Sequence, residues 1–234
     1  MILVARSVVL SAALVVILIG YPLSSSSSNA THACANSLIS IRADEPVDHH
    51  DICNSAEDAL EFFKKLDMEL SHSLVIEIVP NLPDWMSETA VGCYQEEEQK
   101  VFVLTFSAFE KREVWFGVPV NRSMYRSLVT HEVAHAVASC NFAIPDPTIH
   151  AEEYVAYVAM FAIMNPDFRA RILAANPGVG FDSELEINEV TYSFNPMRFG
   201  VQAYRHYLKR EHGDAFLLKA LSGNALTSSV LDLP

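Results

Sequence analysis

The amino-acid sequence predicts an α+β domain in which a small mixed or antiparallel sheet packs on one apolar helix and a second buried helix. Three observations carry that reading. Residues 74–79, 91–94 and 101–106 alternate apolar and polar side chains as half-buried strands do. Residues 123–140 contain no helix breaker, and Glu132 is the lone carboxylate between Leu128 and Cys140. Residues 151–164 are apolar nearly all round until Asn165-Pro166 stops the run, so this second helix belongs in the interior. Residues 31–234 suffice for one core with a cleft, and they show no internal repeat.

At the N-terminus, Arg6 is the only charge among the first 30 residues, and residues 7–21 are an almost unbroken apolar run of signal-peptide length. Residues 1–30, with the serine-rich spacer 24–28, therefore read as an export segment, with a retained N-terminal anchor as the alternative. Small-x-small cleavage sites end at Ala30 and at Ala35. Cleavage after Ala30 leaves Cys34, Cys53, Cys93 and Cys140, an even set for an oxidising compartment, periplasmic or extracellular. The expected pairs are Cys34 with Cys53 and Cys93 with Cys140. Without residues 1–30 the chain holds 15 basic and 29 acidic residues, a formal charge of −14. Such a surface repels phosphate backbones and excludes a nucleic-acid partner, and any membrane contact falls to an uncleaved N-terminal segment.

Further along, residues 44–51 form a solvated acidic loop carrying His49 and His50. A capping-box helix starts at Ser55 and keeps helical spacing to about Ser71. The charged turn 95–100 joins the second and third strands, and residues 116–121 form a loop into the apolar helix. Beyond the buried helix come a surface helix at 166–175, a weakly alternating stretch at 186–194, an amphipathic helix at 197–212 ending at Gly213, a short helix at 214–221 and a frayed tail.

The chemistry concentrates at His131-Glu132-Val133-Ala134-His135. On a helix the two imidazoles sit one turn apart on one face, with Cβ atoms about 5–6 Å apart. That bite suits one zinc ion, which takes imidazole nitrogens at roughly 2.0–2.1 Å in a tetrahedral shell and leaves room for a third protein ligand and a water. Glu132 points about 100° round the helix from His131, placed to take a proton from that water without being a ligand. On a helix this apolar, unpartnered histidines would cost several kcal/mol, and a metal is the simplest partner. Glu152 and Glu153 open the second buried helix, and one of them meeting the metal explains a carboxylate pair there better than dipole compensation alone.

His131-Glu132-Val133-Ala134-His135 followed by Glu153-Tyr154-Val155-Ala156 resembles the Glu-zincin metallopeptidases, particularly their compact peptidase-MA-like branch. The resemblance spans residues 74–213, including the late helix end from Tyr207-Leu208 to Gly213, and departs from the family pattern at Ile149, His150 and Tyr154. It implies a zincin-like fold, zinc as cofactor, His131, His135 and Glu153 as ligands, Glu132 as general base and a peptide or protein as substrate. Glu152 stays open as the alternative third ligand, because the family's Ala three positions on follows only Glu153. Tyr192 and His206 are the candidates to stabilise an oxyanion, and His150 is a conceivable extra ligand or supporting group. The rival readings are a zincin fold holding its metal structurally or serving as an interaction module, and a metal-free, disulfide-stabilised interaction domain.

Overall fold

Five strands form a mixed sheet in the computed structural model, which describes residues 31–43, 47, 49–209 and 213–228. In chain order they are β1 (Thr31–Ala33), β2 (Ile39–Ala43), β3 (Leu74–Val79), β4 (Gly92–Gln95) and β5 (Lys100–Leu104), arranged β1-β2-β3-β5-β4. The pairs β2/β3 and β3/β5 are parallel, while β1/β2 and β4/β5 are antiparallel. Alternation sends Ile39, Ile41, Leu74, Ile76, Ile78, Val101 and Val103 into the core, as the period of two requires. β5 is thus an inner strand, and β4 and β1 are the two edges. The export segment proposed for residues 1–30 lies outside the described residues, and no described helix is long and apolar enough to cross a membrane.

The crossover from β2 to β3 is helix α1 (His49–Lys64). It begins six residues before the expected capping box at Ser55, so His49–Asp51 are helical and not loop. Ser55 caps nothing; its Oγ donates back to the Asp51 carbonyl at 2.7 Å, a bond available inside a helix as well as at its start. The helix stops at Lys64 because Asp67 turns left-handed (φ 59°) and Met68 N returns to Phe63 O. A disulfide ties Cys34 to Cys53, as expected, with Cα atoms 5.4 Å apart. The second expected bridge is absent: Cys93 and Cys140 are free. Gly92, next to Cys93, packs on Glu132, whereas Cys140 caps the same helix eight residues later, about 12 Å along its axis. A disulfide needs Cα atoms within about 7 Å.

Thr105 ends β5 by capping the unforeseen short helix α2 (Phe106–Glu110). The expected loop at 116–121 is instead part of a hairpin, β6 (Val114–Trp115) with β7 (Val118–Pro119), turned by Phe116 and Gly117, both at positive φ. Such a turn normally announces itself as Asn-Gly, and Phe-Gly hides it.

Two helices then fill the interior. α3 (Arg122–Ser139) starts at Asn121, whose side chain accepts from Met124 N, and packs on α1, β4 and β5. α4 (Ile149–Ile163) starts at Thr148, whose hydroxyl accepts from Ala151 N, and packs along α3. α5 (Pro166–Ala175) follows as expected, capped by Asn165 with proline in its first turn.

Residues 186–194 are not a strand. A 3-10 turn (Glu184–Glu186) leads into α6 (Glu189–Phe194), because Asn188 caps the latter through Thr191 N and gives the stretch a helical start that its weak alternation concealed. Asn195 then closes α6 and caps α7 (Pro196–Tyr207). Gly213 opens α8 (Gly213–Leu221) instead of closing α7. The tail beyond Gly223 is anchored at first, with Ala225 and Leu226 buried, and its last six residues lie outside the described set.

Candidate metal centre

α3 presents His131 and His135 one turn apart, with their Nε2 atoms 3.2 Å from each other. α4 lies against that face and sets Glu153 opposite, Oε2 at 3.6 Å from His131 Nε2 and Oε1 at 3.8 Å from His135 Nε2. Ligands at 2.0–2.1 Å from a tetrahedral zinc stand about 3.3–3.4 Å from one another. One donor atom from each of the three side chains lies within 4.8 Å of the other two, so closing on one ion takes a shift of on the order of 1 Å. Glu153 Oε2 is buried with no hydrogen-bond partner, while Oε1 accepts from the Tyr192 hydroxyl at 2.8 Å. Among the described residues, His131, His135 and Glu153 form the group able to hold a metal ion.

Burial governs the charge states. It holds His131 far below the usual histidine range, helped by His135, and it holds His135 down at about 4. Both imidazoles are therefore neutral, the form that binds metals. Burial also lifts Glu153 to about 7, against the lowering effect of the Tyr192 hydroxyl, and lifts Glu132 well above the carboxylate range with a further push from Glu153. Two neutral bases and two reluctant anions around one point describe a site short of positive charge, which a bound cation would supply.

Glu132 lines the same cleft as the ligand pair and packs against the edge strand β4. A Cβ built on Gly92 would come within 2.7 Å of Glu132 Oε1, so the bare backbone of β4 is what leaves the carboxylate its room. Both residues line a cleft of about 1440 Å³ that also exposes His131, His135 and Glu153. Burial, with Glu132 contributing, pushes the neighbouring Cys93 thiol up to about 12, so it is no thiolate ligand at ordinary pH.

The remaining expected site residues divide. Glu152 lines the cleft but stays out of the ligand group, since the next residue on a helix points about 100° away; burial and Glu96 raise it to about 7. Of the two oxyanion candidates, Tyr192 lies in the cleft. His206 does not: it is buried beside Phe216 with Nδ1 2.8 Å from the Tyr154 hydroxyl. His150 is no ligand either, because its Nδ1 sits 3.3 Å from Glu189 and its Nε2 3.1 Å from Thr148 Oγ1, joining α4 to α6.

Sequence reasoning passed over Gly92 and Tyr157. Tyr157 lines the cleft with its ring 4.4 Å from that of His131, and Gly200 of α7 gives that ring space, since a Cβ there would fall 2.5 Å from Tyr157 Cδ1. The available clue was spacing: Tyr157 follows Glu153 by four residues and so shares its face of α4.

No curated protein matches the sequence. A family of unknown function, DUF6639, matches residues 39–230, a span that contains every element from β2 to α8. The chain therefore belongs to the DUF6639 family, whose function is unknown.

Proposed function

We propose that the protein is an exported, zinc-dependent peptidase in which Glu132 is the general base. The observation that supports this reading best is the convergence of three ligand atoms, within 4.8 Å of one another, on the floor of a cleft that also holds a buried carboxylate outside the ligand group. A purely structural zinc has a closed shell of four protein ligands and no use for such a carboxylate. Zinc held there supplies Lewis acidity, polarising a peptide carbonyl and lowering the pKa of water toward about 7.

The rest falls to the chain. His131, His135 and Glu153 hold the ion, and the Tyr192 hydroxyl orients Glu153. Glu132 accepts the proton of the attacking water and passes it to the leaving amine. β4, an edge strand of the sheet, lies along the same cleft and offers its backbone to an extended peptide. Tyr192 is the expected oxyanion donor that stands in the cleft, but its single hydroxyl proton is given to Glu153, so it would serve an oxyanion only by leaving that carboxylate. The Cys34–Cys53 disulfide supports export, since such bonds persist in oxidising compartments.

The test is metal content and hydrolysis of a peptide library for the wild type and three variants. Glu132→Gln is expected to keep zinc and lose turnover by on the order of 10²–10⁴-fold. His131→Ala and Glu153→Ala are expected to lose both, and a chelator to stop the wild type until zinc is restored. A zinc-loaded wild type that cleaves no peptide, or a Glu132→Gln variant as active as the wild type, defeats the proposal.

A further inference from the structure

Beside the metal cleft lies a second cavity, of about 620 Å³, within the size range of sites that take small molecules and side chains. Its apolar lining comes from Val179, Phe181, Leu185, Val190 and Phe194. Four of these are conspicuously open to solvent: Val179 at 69%, Leu185 at 79%, Val190 at 52% and Phe194 at 90%. Apolar side chains scattered singly over a surface need no explanation, but four gathered round one concavity mark a binding site.

The wall between this cavity and the metal cleft is α6. Tyr192 and Ser193 face the cleft, Val190 and Thr191 face the cavity, and Phe194 and Asn195 line both. The wall is tied to α4 by the Tyr192 hydroxyl, which donates to Glu153 Oε1 at 2.8 Å, and its start is fixed by Asn188, whose Oδ1 accepts from Thr191 N while its Nδ2 donates to the Leu185 carbonyl. The cavity is thus preformed and continuous with the cleft across the Phe194 rim.

We infer that this cavity is a distal specificity pocket, taking an apolar side chain of the same peptide whose backbone lies over the metal centre. The inference rests on the peptidase reading of that centre. A helix with its side chains is about 10–12 Å across, so an extended peptide passes over α6 in about three to four residues. The preferred substrate therefore carries a large apolar residue two to four positions from the bond that is cut.

The experiment uses two quenched fluorescent peptides, identical except for Leu or Asp at those positions, with zinc-loaded wild type, Leu185→Asp and Val179→Asp. Both substituted side chains are largely exposed, so the fold tolerates the change. The wild type is expected to favour the Leu peptide at least about tenfold in kcat/KM, through KM, and both variants to lose that preference. An equal preference in wild type and variants overturns the inference. So does a variant that turns a dimer into a monomer on size exclusion while keeping the preference, which would make the patch a contact between copies. If neither peptide is cut, the peptidase reading fails separately. Fluorescence anisotropy of the Leu peptide on zinc-loaded Glu132→Gln protein then decides the pocket: binding that Leu185→Asp abolishes supports it, and binding that is absent or indifferent to Leu185→Asp overturns it.

Discussion

Gly92→Ala is the smallest change expected to silence the centre without touching a ligand. Gly92 is not among the residues at positive φ, so alanine fits the backbone of β4, and the cost is steric alone. The new methyl would stand 2.7 Å from Glu132 Oε1, 2.9 Å from Cγ and 3.0 Å from Cδ. Ordinary contact begins near 3.4 Å, so the carboxylate has to retreat by about 0.7 Å. The Glu132 backbone has no freedom to share that movement, because α3 is clamped between α1, α4 and the sheet. Displacement therefore falls on the side chain proposed as the base, and misplacement of order 1 Å costs up to about 10²-fold in rate. The assay is kcat and KM on a cleaved library peptide beside zinc stoichiometry and thermal unfolding. The expected result is a ten- to hundredfold loss in kcat, roughly, with KM, zinc content and the melting transition close to wild type. A Gly92→Ala variant with wild-type kcat would refute the claim that the space above β4 positions Glu132, and a loss of zinc would show that the substitution disturbs the whole centre.

Two other outcomes follow from the charge states and the crosslink. Zinc affinity, measured in the Glu132→Gln variant so that only the ligands titrate, is expected to weaken as pH falls below about 7, because a Glu153 carboxyl held near that value must release its proton to bind. His135, held at about 4, and His131, held far below the usual histidine range, release none, so log Kd is expected to change by about one per pH unit between pH 7 and 5; a slope of two to three would show that the imidazoles titrate normally. Removing the Cys34–Cys53 bridge by double substitution to alanine opens a loop of sequence separation 19, for which chain entropy predicts a loss of about 3 kcal/mol and a fall in Tm of roughly 6–12 °C. Thiol labelling of the unreduced, denatured wild type is expected to find two free cysteines, and four would remove the bridge.

Much of the fold was legible from local patterns. The strands at 74–79 and 101–106 and the helices at 123–140, 151–164 and 166–175 declare themselves through periodicity and caps, and they form within a few residues of their expected limits. The misreadings share a physical cause. Ser55 looks like a cap, but its hydroxyl is satisfied within the helix by the Asp51 carbonyl. Residues 189–194 form too short a helix to show a period, and their start depends on one side-chain bond from Asn188. The hairpin at Phe116-Gly117 uses a turn whose usual sequence is missing. Pairing Cys93 with Cys140 required knowing where along α3 the edge strand crosses it, which is a tertiary fact.

The sequence by itself determined the imidazole pair, because a four-residue spacing on a helix fixes relative position through backbone geometry alone. It also determined that α4 would be buried and so bring a carboxylate inside. Only the tertiary structure decided that Glu153 and not Glu152 meets the imidazoles, that His206 and His150 bind elsewhere, and that Gly92 makes room for Glu132. Those outcomes turn on the rotation of one packed helix against another and on which strand is left at the edge of the sheet. Side chains distant in sequence set both, through the way they fill a shared interior.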